Sequence, residues 1–364
     1  MTNITLPKIN FTPITEISEY FSERSALIDK AELAVNEGLV FLFGTDPVMT
    51  DQLGNLSDIK TSLNKTRKVA QAIASVAYED MTSAFCSWAH RMVLEYLHQT
   101  QYPNDFINSF ISELREVSLL GSTALGPGTA NFLIGTPIPV TATESTESVV
   151  INGQIRWASN LVGNFIVVTA ATISETEETI LVAIPGGTPG LKPNKYMDLL
   201  GLQQTFSTSI NISDLKVDES LIINRDFKNF MQTILPVFLI LQSSFCQGLA
   251  ARSLEESEPL LKGQSIVLAD DHIQFVDTFN NLTSRMNDDS YSKLDIDEII
   301  RELLQIRLEF AQLAISAVNL ELKLQGGRAY ATSSASSRRF REAAFLPIQA
   351  PTEVQLKWIL SQLK

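Results

Sequence analysis

Strand-like sequence in this chain is confined to one central stretch between two long helical stretches. From position 15 to position 120, apolar residues recur every three or four positions, which is the spacing of one helix face. Between Ser118 and Val217, Gly, Pro, Thr and Val become frequent, and turn sequences such as Asn152-Gly153 separate short apolar runs. After Asp226 the helical spacing returns. This order excludes the alternating strands and helices of a parallel nucleotide-binding sheet.

The chain has 364 residues, of which 45% are hydrophobic, enough for two or three domains around a sizeable core. We predict an α+β fold with an N-terminal helical domain (1–117), a central β-barrel or sandwich domain (118–225) and a C-terminal four-helix bundle (226–364). The predicted strands are Ser148–Ile151, Asn164–Ala171, Thr179–Ile184 and Thr205–Ile212. The predicted bundle helices are Phe227–Leu254, Gln264–Met286, Asp295–Leu324 and Arg338–Leu363.

Composition narrows the classes of partner. The formal charge of -13 and the pI of about 4.8 argue against a nucleic-acid partner.

Cys86 and Cys246 lie in apolar helical contexts typical of buried free thiols, which indicates a reducing compartment. The most apolar run, Ile234–Leu241, is too short for a membrane span. Asp270, Asp271 and His272 do not share a helix face, so we predict no metal site. We expect a cytoplasmic protein without a membrane span.

Three stretches of the sequence carry a resemblance to a known family. Val149–Asn160 (VVINGQIRWASN) reads as a strand, a tight turn and a strand that ends in an aromatic and a small hydroxyl residue. Gly201–Thr208 (GLQQTFST) follows, and Gln325–Tyr330 (QGGRAY) precedes Arg338–Ala343 (RRFREA). Together, and in this order, they resemble the acyl-CoA dehydrogenase family, whose members have the helix, β, helix arrangement predicted above.

The resemblance implies a bound flavin, with FAD expected and FMN possible. Trp157, Ala158 and Ser159 would lie beside the flavin ring. The Gln325-Gly326-Gly327 turn and Thr352 would supply further cofactor contacts. It also implies a homodimer or homotetramer, a small-molecule substrate such as an acyl thioester, and an electron acceptor or a flavin reductase as partner.

The family's catalytic base is the point at which this sequence departs from the pattern. The base is a Glu followed by Gly-Thr near the start of the last helix, and here Ala350 occupies the Glu position. The alternative base position, on the first bundle helix, corresponds to Pro236–Leu239 and holds no carboxylate either. Glu353 is the nearest acid and a candidate for a displaced base; the alternative is a carboxylate that stabilises the first turn of a helix.

Three functions remain open at this point. The first is α,β-dehydrogenation of an acyl thioester on CoA or a carrier protein, with hydride transfer to flavin N5. The second is a reduced-flavin-dependent monooxygenase or N-hydroxylase of the same fold, a subset that lacks the Glu and in which His90 and Ser159 would lie near the flavin. The third is a non-catalytic family member that acts as a binding partner. For the cofactor's phosphates, the sequence offers Arg338, Arg339 and Arg341.

Overall fold

The computed structural model describes residues 6–45, 47–144 and 148–362. The first block of the chain is helical, and its longest helices are held at their starts by acidic side chains. Asp58 accepts a hydrogen bond from Thr61 N at 3.1 Å, and Asp80 accepts one from Ser83 N at 2.9 Å. The helices are α1 Thr15–Ser22, α2 Ser25–Asp29, α3 Asn36–Thr45, α4 Ile59–Glu79, α5 Met81–His98 and α6 Asp105–Arg115.

The middle of the chain forms one curled, mixed sheet with a helix inserted after its first strand. The elements are β1 Leu120–Thr123, α7 Gly126–Ile134, β2 Val140–Glu144, β3 Val149–Ala158, β4 Phe165–Ile173, β5 Thr179–Pro185, β6 Leu191–Pro193, β7 Thr208–Val217 and β8 Ile222–Asn224. The strand order is β6-β7-β3-β2-β4-β5-β8, and β1 pairs in parallel with β4.

Asn152 and Gly153 do not form the expected turn but lie inside β3. The pairing of β3 with β7 shifts register between Ile151 and Gly153, and Gly153 has a φ of 135°. The Asn152 side chain accepts a hydrogen bond from Asp214 N at 2.8 Å on the neighbouring strand. The extra residue of this β-bulge lies on β7, between Ile212 and Leu215, and the positive φ of Gly153 lets β3 continue opposite it.

The last part of the chain is helical again, and α8 is its central helix. The elements are α8 Phe227–Ser257, α9 Ala269–Met286, α10 Ile296–Gln325, α11 Ala335–Ala343 and α12 Glu353–Gln362. α8 packs closely on α4, since a Cβ added at Gly248 would lie 2.1 Å from the Ala74 carbonyl oxygen. α8 is long and apolar enough to cross a membrane, but its most apolar window is entirely buried inside the protein, as in a core helix.

The predicted α+β order of helices, sheet and helical bundle is confirmed, with two local differences besides the Asn152-Gly153 turn. The strands lie between Leu120 and Asn224, but Gly126–Ile134 is a helix within that region. The helix predicted from Arg338 to Leu363 is two helices, because Pro347 and Pro351 interrupt it. The domain boundaries themselves remain predictions.

Candidate functional site

A cavity of about 550 Å³ lies between the end of β3 and the C-terminal helices. Besides Ala130 of α7 and the segment from Thr136 to Pro139, its walls come from five parts of the chain. They are α5 (Phe85, Trp88, Ala89), the β1–α7 turn (Thr123, Ala124, Gly126, Pro127), the end of β3 (Ile155, Arg156, Trp157, Ser159), Phe238 of α8, and the segment from Phe345 to Gln355.

The part of the cavity around Trp157, here called the outer part, has apolar walls and one hydroxyl-rich edge. Trp157 is 40% exposed at its mouth, and Phe345 and Ile348 face the same space. Ser159 Oγ lies 2.7 Å from Ser207 Oγ. That hydroxyl is in turn 2.7 Å from Thr205 Oγ1, so the edge is a short chain of buried hydroxyls. A planar ring that is apolar on its faces and hydrogen-bonding along one edge matches this shape.

The turn between β1 and α7 closes a second side of the cavity, and sequence analysis did not identify it. Gly126 begins α7, and a Cβ there would lie 3.1 Å from Ala350 Cβ, so the turn and the C-terminal segment approach closely. The start of α7 offers backbone N–H groups at the cavity wall, where a helix favours anionic or carbonyl oxygens. The Gly-Pro-Gly sequence at 126–128 is the signal that could have indicated this helix start.

Ala350 and Thr352 both line the cavity. Thr352 Oγ1 accepts a hydrogen bond from Gln355 N at 3.2 Å, and Gln355 Oε1 accepts one from Thr352 N at 2.8 Å. This reciprocal pair fixes the start of α12. Among the described residues that line the cavity, none is Asp or Glu.

Glu353 is not part of this lining. Its carboxylate pairs with Lys357 Nζ at 2.7 Å and accepts a hydrogen bond from Gln312 Nε2 at 2.9 Å. Lys357 and Gln312 lower the pKa of Glu353 below its ordinary value, because their hydrogen bonds favour the charged form. The carboxylate is thus engaged at the first turn of α12 and away from the cavity.

His90 is also outside the cavity, in the core between α5 and β1. Its Nδ1 accepts a hydrogen bond from Gly121 N at 3.0 Å, which leaves Nε2 to donate to Leu114 O at 2.9 Å. Burial lowers the pKa of His90 to about 4, so the ring is neutral at physiological pH. A Cβ at Gly121 would lie 3.0 Å from the His90 carbonyl oxygen, so the strand fits closely against the helix.

The remaining predicted cofactor residues lie in two places. Ala158 is buried beneath the end of β3, between the lining residues Trp157 and Ser159. Gln325, Gly326 and Gly327 end α10, outside the lining, and both glycines are exposed. Gly326 has a φ of 62°, which permits this helix end.

The three arginines considered for phosphate binding are all engaged within the chain. Arg338 donates to Glu79 O at 2.7 Å, Arg339 pairs with Glu321, and Arg341 pairs with Asp29. Sequence analysis gave no role to Arg156. It is exposed and lines the cavity, so it is the better placed cation for an anionic cofactor group.

Several proteins of known structure share this fold. The butyryl-CoA dehydrogenase of Megasphaera elsdenii is 16% identical, with 97% of this chain and 99% of that chain covered and a TM-score of 0.73. A probable acyl-CoA dehydrogenase of Mycobacterium abscessus is 12% identical, with 96% and 97% covered and a TM-score of 0.77. A prolyl acyl carrier protein oxidase is 13% identical, with 96% and 97% covered and a TM-score of 0.75. No protein-family model and no curated protein matches the sequence. The predicted acyl-CoA dehydrogenase-like fold is confirmed.

Proposed function

We propose, from the acyl-CoA dehydrogenase-like fold and the cavity beside β3, that this protein is a flavin-dependent oxidoreductase acting on an acyl thioester. One observation carries the proposal: the cavity combines a hydroxyl edge beside Trp157 with an apolar inner part, which we define by Phe85, Trp88 and Phe238. The fold's neighbours include proteins whose names give acyl-CoA and acyl carrier protein substrates.

The residues of the outer part fit a flavin ring. Trp157 offers a broad aromatic face, Ser159 and Thr123 offer hydroxyls, and Gly126 leaves room for a close approach to the backbone. Thr352 completes the opposite side, and Arg156 is available to a phosphate at the rim. Bound there, the flavin would accept a hydride from the substrate or, when supplied reduced, deliver electrons to oxygen.

The inner part suits the acyl group of the thioester. Phe85 and Trp88 of α5 and Phe238 of α8 line this inner part as one cluster of contacting rings, with the Trp88 ring centroid 5.4 Å from that of Phe85 and 5.1 Å from that of Phe238. These rings exclude water from the space in which carbon–hydrogen bonds would react.

Because none of the described lining residues is Asp or Glu, the reduced-flavin-dependent monooxygenase is a second candidate function. Removal of a proton from the thioester α carbon needs a base within hydrogen-bond reach, and Ala350 provides none. Oxygen chemistry does not require that base. The two candidates therefore differ in whether anaerobic substrate reduces the flavin.

Flavin binding tests the placement of the cofactor. We expect the protein to bind FAD or FMN, and Trp157→Ala to weaken the affinity about tenfold because the stacking face is lost. The measurement is quenching of flavin fluorescence. Trp358→Ala removes an exposed tryptophan on α12 outside the cavity lining and serves as the control, with unchanged affinity expected. A wild-type protein that takes up no flavin would contradict both enzymatic functions and favour the non-catalytic one.

Restoring the carboxylate tests the reaction. We expect anaerobic acyl thioester to bleach flavin-loaded Ala350→Glu at least about 100-fold faster than the wild type, which is the usual contribution of a general base. Ala350→Gln has the same size without a base and is the control. Fast bleaching by the wild type would mean that another group removes the proton. If neither protein bleaches, product formed only with reduced flavin and oxygen would support the monooxygenase.

A further inference from the structure

Three buried hydroxyls form one hydrogen-bonded chain at the edge of the cavity. Ser159, directly after β3, lines the cavity, and its Oγ lies 2.7 Å from Ser207 Oγ. Ser207 Oγ is in turn 2.7 Å from Thr205 Oγ1, which donates to the Leu202 carbonyl oxygen at 2.8 Å. All three hydroxyl residues are buried, and no further hydrogen bond from the described residues reaches these hydroxyls.

The carbonyl at the inner end of this chain sets the direction of every hydrogen bond in it. A carbonyl oxygen only accepts, so the single hydroxyl proton of Thr205 is used on Leu202. Thr205 Oγ1 then accepts from Ser207, and Ser207 Oγ accepts from Ser159. The Ser159 proton is therefore committed to Ser207, and what the Ser159 hydroxyl still offers is an acceptor lone pair.

The backbone around the chain is held by its own hydrogen bonds. Asn160 N donates to the Thr205 carbonyl oxygen at 2.8 Å, and its buried side-chain amide donates to Cys86 O and Gly121 O, each at 3.0 Å. Leu202 has a φ of 58°, and its carbonyl oxygen accepts a second hydrogen bond from Thr205 N at 3.1 Å. These contacts fix both ends of the chain, and with them its direction.

An acceptor at the position of Ser159 distinguishes the two redox states of a flavin. The ring nitrogen N5 carries no hydrogen in oxidised flavin and is itself an acceptor, whereas in reduced flavin it carries a hydrogen and is a donor. Opposite Ser159, the oxidised ring would place two acceptors face to face. The reduced ring would instead complete a hydrogen bond.

We propose that this cavity selects flavin in its reduced form, because Ser159 Oγ accepts from the N5–H group that only the reduced ring carries. The inference rests on the proposed function, in which the flavin ring lies beside Trp157 and Ser159. It deepens that function by naming the redox state of the cofactor that the site holds more tightly. The monooxygenase candidate requires its flavin in this state.

Anaerobic calorimetry with the two forms of one flavin tests the proposal. The probes are oxidised FMN and FMN reduced with dithionite, replaced by the two forms of FAD if the protein takes up only FAD. We expect the reduced form to bind at least about tenfold more tightly, because one hydrogen bond replaces a pair of facing acceptors. Equal affinity, or tighter binding of the oxidised form, would overturn the inference and leave the proposed function intact. Binding of neither form would overturn both.

Two variants locate the preference in the hydroxyl chain. Ser207→Ala frees the Ser159 proton for the cavity, so oxidised flavin should bind about fivefold more tightly than it binds the wild type. Ser159→Ala removes the acceptor, so reduced flavin should lose affinity. In both variants the ratio of the two affinities should approach one. Ser209→Ala is the control, since Ser209 lies two residues after Ser207, accepts from Asn194 Nδ2 at 2.8 Å and is outside the cavity lining; it should keep the wild-type ratio.

Each ratio compares two ligands on one protein, so a general loss of stability in a variant does not change it. The midpoint potential of the bound flavin gives a second reading, because tighter binding of the reduced form makes the potential more positive than that of free flavin. This shift should shrink in Ser207→Ala and Ser159→Ala and persist in Ser209→Ala. A wild-type ratio that survives in both Ser207→Ala and Ser159→Ala would overturn the proposal.

Discussion

Arg91 and Arg307 are both fully buried, but Arg91 has a carboxylate partner and Arg307 has two neutral ones. Arg91 of α5 pairs with Glu95 one turn later, at 3.0 Å, and donates to the Asp51 carbonyl oxygen. Glu95 also accepts hydrogen bonds from Leu53 N at 2.9 Å and Gly54 N at 2.8 Å. Arg307 has only neutral partners. The first cation is paired with a carboxylate of the fold, whereas the second is held by two glutamines.

The comparison is tested most directly by the free energy of unfolding of a variant that lacks the Arg91 guanidinium. Arg91→Met leaves Glu95 as an uncompensated buried charge, which should lower the free energy of unfolding by about 3–5 kcal/mol. Chemical denaturation monitored by circular dichroism measures it. The double variant Arg91→Met with Glu95→Gln should recover part of the loss, because the stranded charge is gone. A loss below about 1 kcal/mol for Arg91→Met would remove the distinction between the two regions.

Glu342 of α11 extends the comparison to a buried anion with weak pairing. Neither carboxylate oxygen has a hydrogen-bond partner, and the nearest cation, Arg338, is 3.8 Å away. Burial raises its pKa from 4.5 to about 7, with the charges of Asp80 and Asp29 adding to the shift and those of Arg338 and Arg339 opposing it. The stability that neutral Glu342 provides is therefore complete below pH 4.5 and is lost as the pH rises through about 7.

The Glu342→Gln variant should not lose that stability. At pH 8 we expect it to exceed the wild type in free energy of unfolding by up to about 3 kcal/mol, and at pH 5 the two should be similar. Denaturation at both pH values measures the difference. Glu116→Gln changes an exposed carboxylate and is the control. An advantage of the same size at both pH values would contradict the assigned protonation.

The smallest effect is expected at Arg307 itself. Arg307→Met strands the oxygens of Gln242 and Gln349, which costs stability, but it also removes an uncompensated buried charge, which restores it. We expect a net change within about 1 kcal/mol in the free energy of unfolding. A loss as large as that of Arg91→Met would contradict this difference between the two arginines.

The sequence predicts the architecture well because helical and strand periodicity depend on local spacing. The positions of Trp157, Ser159, Ala350 and Thr352 around one cavity also follow from it, because each belongs to a motif with a defined neighbour in the fold. Their roles in binding and catalysis remain predictions.

Side-chain direction accounts for what the sequence did not predict. His90 and Glu353 are on helices that contribute to the cavity wall or adjoin it, but their partners, Gly121, Lys357 and Gln312, come from packing that spacing does not specify. Arg307 did leave a signal, since it stands four residues after Leu303 and three before Phe310 on a buried face. An arginine at such a position is a reason to look for its counter-ion.

The break between α11 and α12 also bears on how this scaffold can diversify. Because Pro347 and Pro351 end regular structure, Ala350 lines the cavity from a segment outside any helix or strand. A lineage could exchange Ala350 for an acid, or an acid for alanine, with little penalty to folding. The chemistry available at position 350 could then change while the rest of the fold stays the same.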